Sequence, residues 1–141
     1  MKSGQRQNLR NNMNTNKTED YKDLDKFQKV AMSTCTDSSY NWSYMSTLLC
    51  SEVGELQGYV GKLVRKGIVK VDADTLRFQT CDEEVIKEAR EHILSELGDV
   101  LWGVAGTAEV LGYTLGEVAE YNNKKLAERK AKGTIIDHKD H

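Results

Sequence analysis

SEVGEL at residues 51–56 and SELGDV at residues 95–100 each place two acids three positions apart, Glu52 with Glu55 and Glu96 with Asp99. On a helix turning roughly 100° per residue, such a pair projects to one side, about 60° apart. The residues around both strings repeat with that helical period. Leu48, Leu49, Val53, Leu56, Val60 and Leu63 form one apolar stripe, and Ile93, Leu97, Val100, Leu101, Val104 and Ala108 form another. Glu52 falls inside the first stripe and Glu55 at its edge, whereas Glu96 lies at the margin of the second and Asp99 further round. A glutamate that faces a core is costly unless it is paired, protonated or bound to a metal.

Working outward, the first string belongs to a helix expected from about Tyr44 to Lys66, which Gly67 stops. The second belongs to a helix that opens at Thr80 and Glu83, with capping-box spacing, and runs to Leu111 before Gly112. Gly98, Gly103 and Gly106 inside it predict close approach of another backbone or a ligand, because mid-helix glycine costs about 1 kcal/mol relative to alanine. Thr114 and Glu117 repeat the capping box for a last helix that ends near Lys130, Lys132 and Gly133, and Leu24, Phe27, Val30 and Ala31 mark an earlier one over about 21–34. Residues 67–80 read equally as a small hairpin or a loop around DADT. The fold expected is an all-α four-helix bundle over residues 21–135. Residues 1–20, polar and nearly without large apolar side chains, are expected to be a disordered arm, and 136–141 a flexible tail.

Net charge is −2 over 141 residues, with 30% charged and 38% hydrophobic. The chain has no basic excess for nucleic acid, no apolar run of membrane-spanning length and no secretory-type apolar core near its start. Neither a nucleic-acid nor a membrane partner is expected. Cys35, Cys50 and Cys81 form no CxxC pair, which favours a reducing, cytoplasmic setting over a disulfide or zinc framework. Proline is absent, in keeping with helices throughout.

If the two acid-bearing helices pack antiparallel, the four carboxylates converge. An all-oxygen set without His or Cys suits a hard cation, Mg²⁺ or Mn²⁺. Such a cation neutralises a polyphosphate and activates water, and a glutamate can accept that water's proton. A single acidic pair at this spacing is ordinarily a solvated helix face. Two pairs, one of them intruding on an apolar stripe, leave the metal and the bland readings open.

EVGEL, followed some forty residues later by ELGDVLWGVA, resembles the ExxE and ExxD signature of the MazG-like nucleoside triphosphate pyrophosphohydrolases. The similarity continues into LGYTLGEVAEYNNKKLAERKAKG, where Asn122, Lys125, Leu126 and Arg129 match the family's closing run. The resemblance implies Mg²⁺-dependent cleavage of a nucleoside triphosphate to monophosphate and pyrophosphate, by subunits assembled as homodimers or homotetramers. It implies Glu52, Glu55, Glu96 and Asp99 as metal ligands, with Glu52 and Glu55 also catalytic. It further implies Lys62, Lys125 and Arg129 on phosphates and Asn122 on sugar or phosphate. The segment 67–80 is longer than the family's minimal linker between its motif helices.

Among aromatic residues Trp42, placed before the second helix, is the preferred candidate to stack on the base, ahead of Tyr44, Tyr59, Trp102 and Tyr113. Gln28 is a lesser candidate for the base edge, and His92, one turn before Glu96, for a group behind the metal ligands. Three alternatives stand beside the main reading: a dUTPase-like or phosphoribosyl-ATP-type substrate, a non-catalytic helical interaction module, and a di-iron bundle. The last requires Glu-x-x-His pairs, which the chain lacks.

Overall fold

The structure, a computed structural model, describes residues 21–72 and 75–135. The expected arm (1–20) and tail (136–141) lie outside the described residues. Four helices carry the fold: α1 (Lys22–Ser33), α2 (Trp42–Arg65), α3 (Glu83–Leu111) and α4 (Leu115–Ala131). Between α2 and α3 the ambiguous segment is a hairpin, β1 (Val69–Val71) against β2 (Leu76–Phe78), with Val69 opposite Phe78 and Val71 opposite Leu76. At its turn, Asp72 Oδ1 accepts the Thr75 amide at 3.0 Å.

Local chemistry accounts for the helix ends. Asn41 Oδ1 accepts the Tyr44 amide at 2.9 Å and starts α2, so Trp42 opens this helix and does not sit in an irregular stretch before it. Thr114 and Glu117 form the expected reciprocal box on α4. At α3 the cap is Asp82 and not Thr80: its carboxylate takes the Glu84 and Val85 amides at 3.1 and 3.3 Å. Thr80 Oγ1 instead accepts the Asp82 amide at 3.1 Å. Gly67 (φ 69°) and Gly112 (φ 81°) turn the chain out of α2 and α3 in the left-handed region, where a β-carbon is disfavoured.

Helices α2 and α3 pack antiparallel along most of their length. Gly106 abuts Met45, Gly103 abuts Leu49, and Tyr59 meets His92, so a step up α2 is matched by a step down α3. The residues of α3 that meet α2 at this point are small, Gly103 and Gly106, while Ala105 and Ala108 lie on the far side of the helix in the core shared with α1. Leu97 and Leu101, expected in the core, are instead exposed, along with Leu94 and Val53. Small residues let two helix axes approach closely, and the branched side chains then point elsewhere. Gly98, read as a crowding position, has open space beside it.

Helix α1 closes one end of the pair. Ala31 and Met32 join Tyr40, Met45, Ala105, Ala108 and Leu115 in the main core. Met45 is wholly enclosed at 0% exposure; burial of such a side chain contributes about 1.5–3 kcal/mol. Trp102 is tied into this packing, its indole N–H donating to Ala31 O and Thr34 Oγ1, both at 3.1 Å. Gln28 is buried as well: its amide donates to Glu109 Oε2 (3.1 Å) and Tyr113 O (3.0 Å) and accepts from Leu115 N (2.7 Å). The bonding of Gln28 and Trp102 makes both structural, and neither is left to read a base. A second cluster, Leu63, Val69 and Ala89, seats the hairpin against the other end of α2 and α3.

Candidate metal and nucleotide site

The antiparallel register brings the middle of α2 opposite the middle of α3. Glu52, Glu96 and Asp99 each offer a carboxylate oxygen there, all within 4.8 Å of one another. Glu52 and Glu96 are half-buried and Asp99 is exposed, so the cluster opens to solvent on one side. Glu55 stands apart from these three. It lies one turn further along α2, exposed, and its Oε1 accepts a 3.5 Å bond from Ser51 Oγ.

Burial pushes the Glu52 carboxyl above the usual carboxylate range, and the charges of Glu55, Asp99 and Glu96 push it the same way. Like charges held this close are unfavourable by themselves; a divalent cation among them reverses the sign of the interaction. Oxygen-only donors at this separation fit a hard cation, and the residues present are suited to hold one.

One end of the cluster is buttressed. His92 Nε2 lies 3.0 Å from Glu96 Oε1, and the His92 ring stacks on Tyr59 with centroids 3.7 Å apart. At the other end, a groove of about 510 Å³ runs along the first half of α2, lined by Ser38, Asn41, Ser43, Tyr44, Thr47, Leu48 and Ser51. Its last lining residue, Ser51, precedes Glu52 in the chain. Tyr44 lines the groove, whereas Trp42 is exposed outside that lining.

Among the described residues no ion pair joins the basic candidates to the carboxylates. Lys62 is exposed on the last turns of α2. Asn122, Lys125 and Arg129 are exposed on α4, which packs on α1 and on α3. Lys125 borders a shallow groove with Tyr121, Lys124 and Glu128.

The sequence profile of the MazG nucleotide pyrophosphohydrolase domain matches residues 43–134, a span that contains all four acids and the basic run of α4. This chain belongs to the MazG family. The matched span contains the three-carboxylate cluster. The MazG domain is also 34% identical over 99 residues to a protein described as the Gene 37 protein of Mycobacterium phage L5, covering 70% of this chain and 75% of the relative. No solved structure matches. Among the described residues no helix is long and apolar enough to cross a membrane, and Cys35, Cys50 and Cys81 form no disulfide with one another.

Proposed function

We propose that this MazG domain hydrolyses a nucleoside triphosphate to the monophosphate and pyrophosphate, with Mg²⁺ (or Mn²⁺) held by Glu52, Glu96 and Asp99 and approached by Glu55. The observation that carries the reading is the convergence of three carboxylates from two helices inside the family signature. When bound, the cation supplies charge neutralisation on the polyphosphate and acidifies water. The chain's own residues do the rest. Glu52 and Glu55, the two acids of α2, are the groups that take the proton of the attacking water. Water oxygen then bonds to the α-phosphorus, and the bond to the bridging oxygen of pyrophosphate breaks.

Lys62, Lys125 and Arg129 bind phosphate oxygens and Asn122 the sugar or a phosphate. Trp42 or Tyr44, at the start of α2, stacks on the base. Exposed Leu94, Leu97 and Leu101 share one side of α3 and form an apolar strip, and Val53 is exposed on α2. A homodimer or homotetramer buries that strip and carries the basic helix α4 of one subunit toward the acids of another. Cys35, Cys50 and Cys81, none joined to another by a disulfide, fit a cytoplasmic setting.

The test is release of pyrophosphate against orthophosphate from ribo- and deoxyribonucleoside triphosphates, dUTP included, with Mg²⁺ and with EDTA. Metal-dependent pyrophosphate release that Asp99→Asn abolishes supports the proposal. A folded, metal-loaded protein that turns over none of these nucleotides refutes it for this substrate class.

A further inference from the structure

We infer that His92 is a positioning residue that fixes the direction of the Glu96 carboxylate toward the cation. The inference rests on the metal-site reading given above and extends it to residues outside the acidic signature. An i, i+4 His–Glu pair on a helix is ordinarily a surface contact of little consequence. Three observations set this one apart.

The acceptor belongs to the cluster. Glu96 Oε1, 3.0 Å from His92 Nε2, is part of a side chain only 14% exposed, while His92 remains 48% exposed. A carboxylate with one oxygen in contact with a fixed imidazole nitrogen loses rotational freedom, so its other oxygen is presented in a set direction.

The imidazole is itself held in place. Its ring stacks on Tyr59 at 3.7 Å between centroids, with 29° between the planes. Tyr59 comes from α2, two turns beyond Glu52, and His92 from α3, one turn before Glu96. The chain of contacts therefore links the two helices that supply the ligands: Tyr59 orients His92, and His92 orients Glu96. A histidine serving only as a helix-surface cation has no need of an aromatic partner on the opposing helix.

The arrangement also divides labour within the site. Glu96 is braced from behind, whereas Asp99 is exposed and Glu55 lies outside the converging set. Glu96 is then the pre-oriented ligand around which the other carboxylates gather.

The experiment measures Mn²⁺ binding to the full chain by the electron paramagnetic resonance of free Mn²⁺, without nucleotide, alongside the melting temperature of the metal-free protein. His92→Phe keeps an aromatic ring against Tyr59 and removes the donor; His92→Gln keeps an N–H donor of similar reach. His92→Phe is expected to weaken Mn²⁺ binding about 10-fold, and His92→Gln, which keeps a polar group facing Glu96 but loses the ring on Tyr59, to weaken it less. Metal-free melting is expected to be the same in both. Wild-type binding in His92→Phe, or equal weakening in both variants, overturns the inference. Glu96→Gln separates the two levels of the argument. If it also binds Mn²⁺ like wild type, the metal-site reading fails and takes this inference with it. If Glu96→Gln loses the ion while His92→Phe keeps it, the positioning role alone is wrong.

Discussion

A β-carbon on Gly103 would sit 3.3 Å from the α-carbon of Leu49, so α2 and α3 meet almost backbone to backbone one turn from Glu52 and Asp99. That closeness sets the separation of the carboxylates. Gly103→Leu is expected to destabilise the domain by about 1–3 kcal/mol through overpacking. It should also weaken Mn²⁺ binding, because the helices must part where the ligands lie. Gly98→Ala, with open space around it, is expected to raise stability by up to about 1 kcal/mol from helix propensity. Chemical denaturation of the metal-free proteins checks both signs.

Glu52→Gln and Asp99→Asn each remove a ligand and one of the mutually repelling charges. Both are expected to cut metal-dependent turnover by more than about 100-fold. The metal-free melting temperature is expected to hold or rise, since repulsion at the cluster is relieved, and added Mg²⁺ should no longer raise it. A drop in metal-free melting would identify these acids as structural.

Acidity is expected to act in opposite directions with and without metal. The folded protein holds the Glu52 proton more tightly than the unfolded chain does, because burial and then the Glu55, Asp99 and Glu96 charges raise its pKa. In EDTA, that contribution to stability is fully present below the ordinary carboxylate range and is lost as pH rises through the raised Glu52 value. With Mg²⁺ the ion must displace the proton, so the stabilisation it provides grows across the same window. Melting curves from pH 4 to 8, each with and without Mg²⁺, test this.

Glu55 is the acid whose role separates most clearly from the others. Glu55→Gln is expected to lower kcat by about 10–100-fold while leaving binding of one Mn²⁺ near wild type, because the three converging carboxylates remain. Loss of the ion in this variant would make Glu55 an equal ligand.

Periodicity and caps made the four helices legible, down to the Thr114–Glu117 box and the stops at Gly67 and Gly112. The same is true of the meeting of Glu52 with Glu96 and Asp99, which follows once the helices are antiparallel. Other features were hidden for physical reasons. A stripe of Leu97 and Leu101 looks like core because hydropathy does not say which of two faces a neighbour covers; here small residues won the contact. Thr80 lost the α3 cap to Asp82: Asp82 Oδ1 takes the Glu84 and Val85 amides, and Thr80 Oγ1 takes the amide of Asp82 itself. Gln28 and Trp102 looked available for a base, but their partners lie more than sixty residues away along the chain. The brace of Tyr59 on His92 is likewise a product of register between helices, with only the i, i+4 spacing of His92 and Glu96 as a signal. The basic residues of α4 are recognisable by family pattern alone, as nothing local ties them to the acids.

From Tyr121 to the end of α4 every residue is exposed, and beyond the 2.7 Å bond from Asn123 Nδ2 to Tyr21 OH the stretch has little tertiary cover. Such a stretch is marginal by itself, since isolated helices shorter than about 12–15 residues are barely stable in water. The backbone amides there are expected to exchange with solvent far faster than those of α2 beside Met45, and to slow as protein concentration rises and a second subunit covers them. The entropy of ordering this segment is then part of every binding event that uses Lys125 or Arg129. Apparent affinity for a triphosphate would depend on how concentrated the protein is, so assembly and substrate capture in this MazG domain would be two readings of one equilibrium.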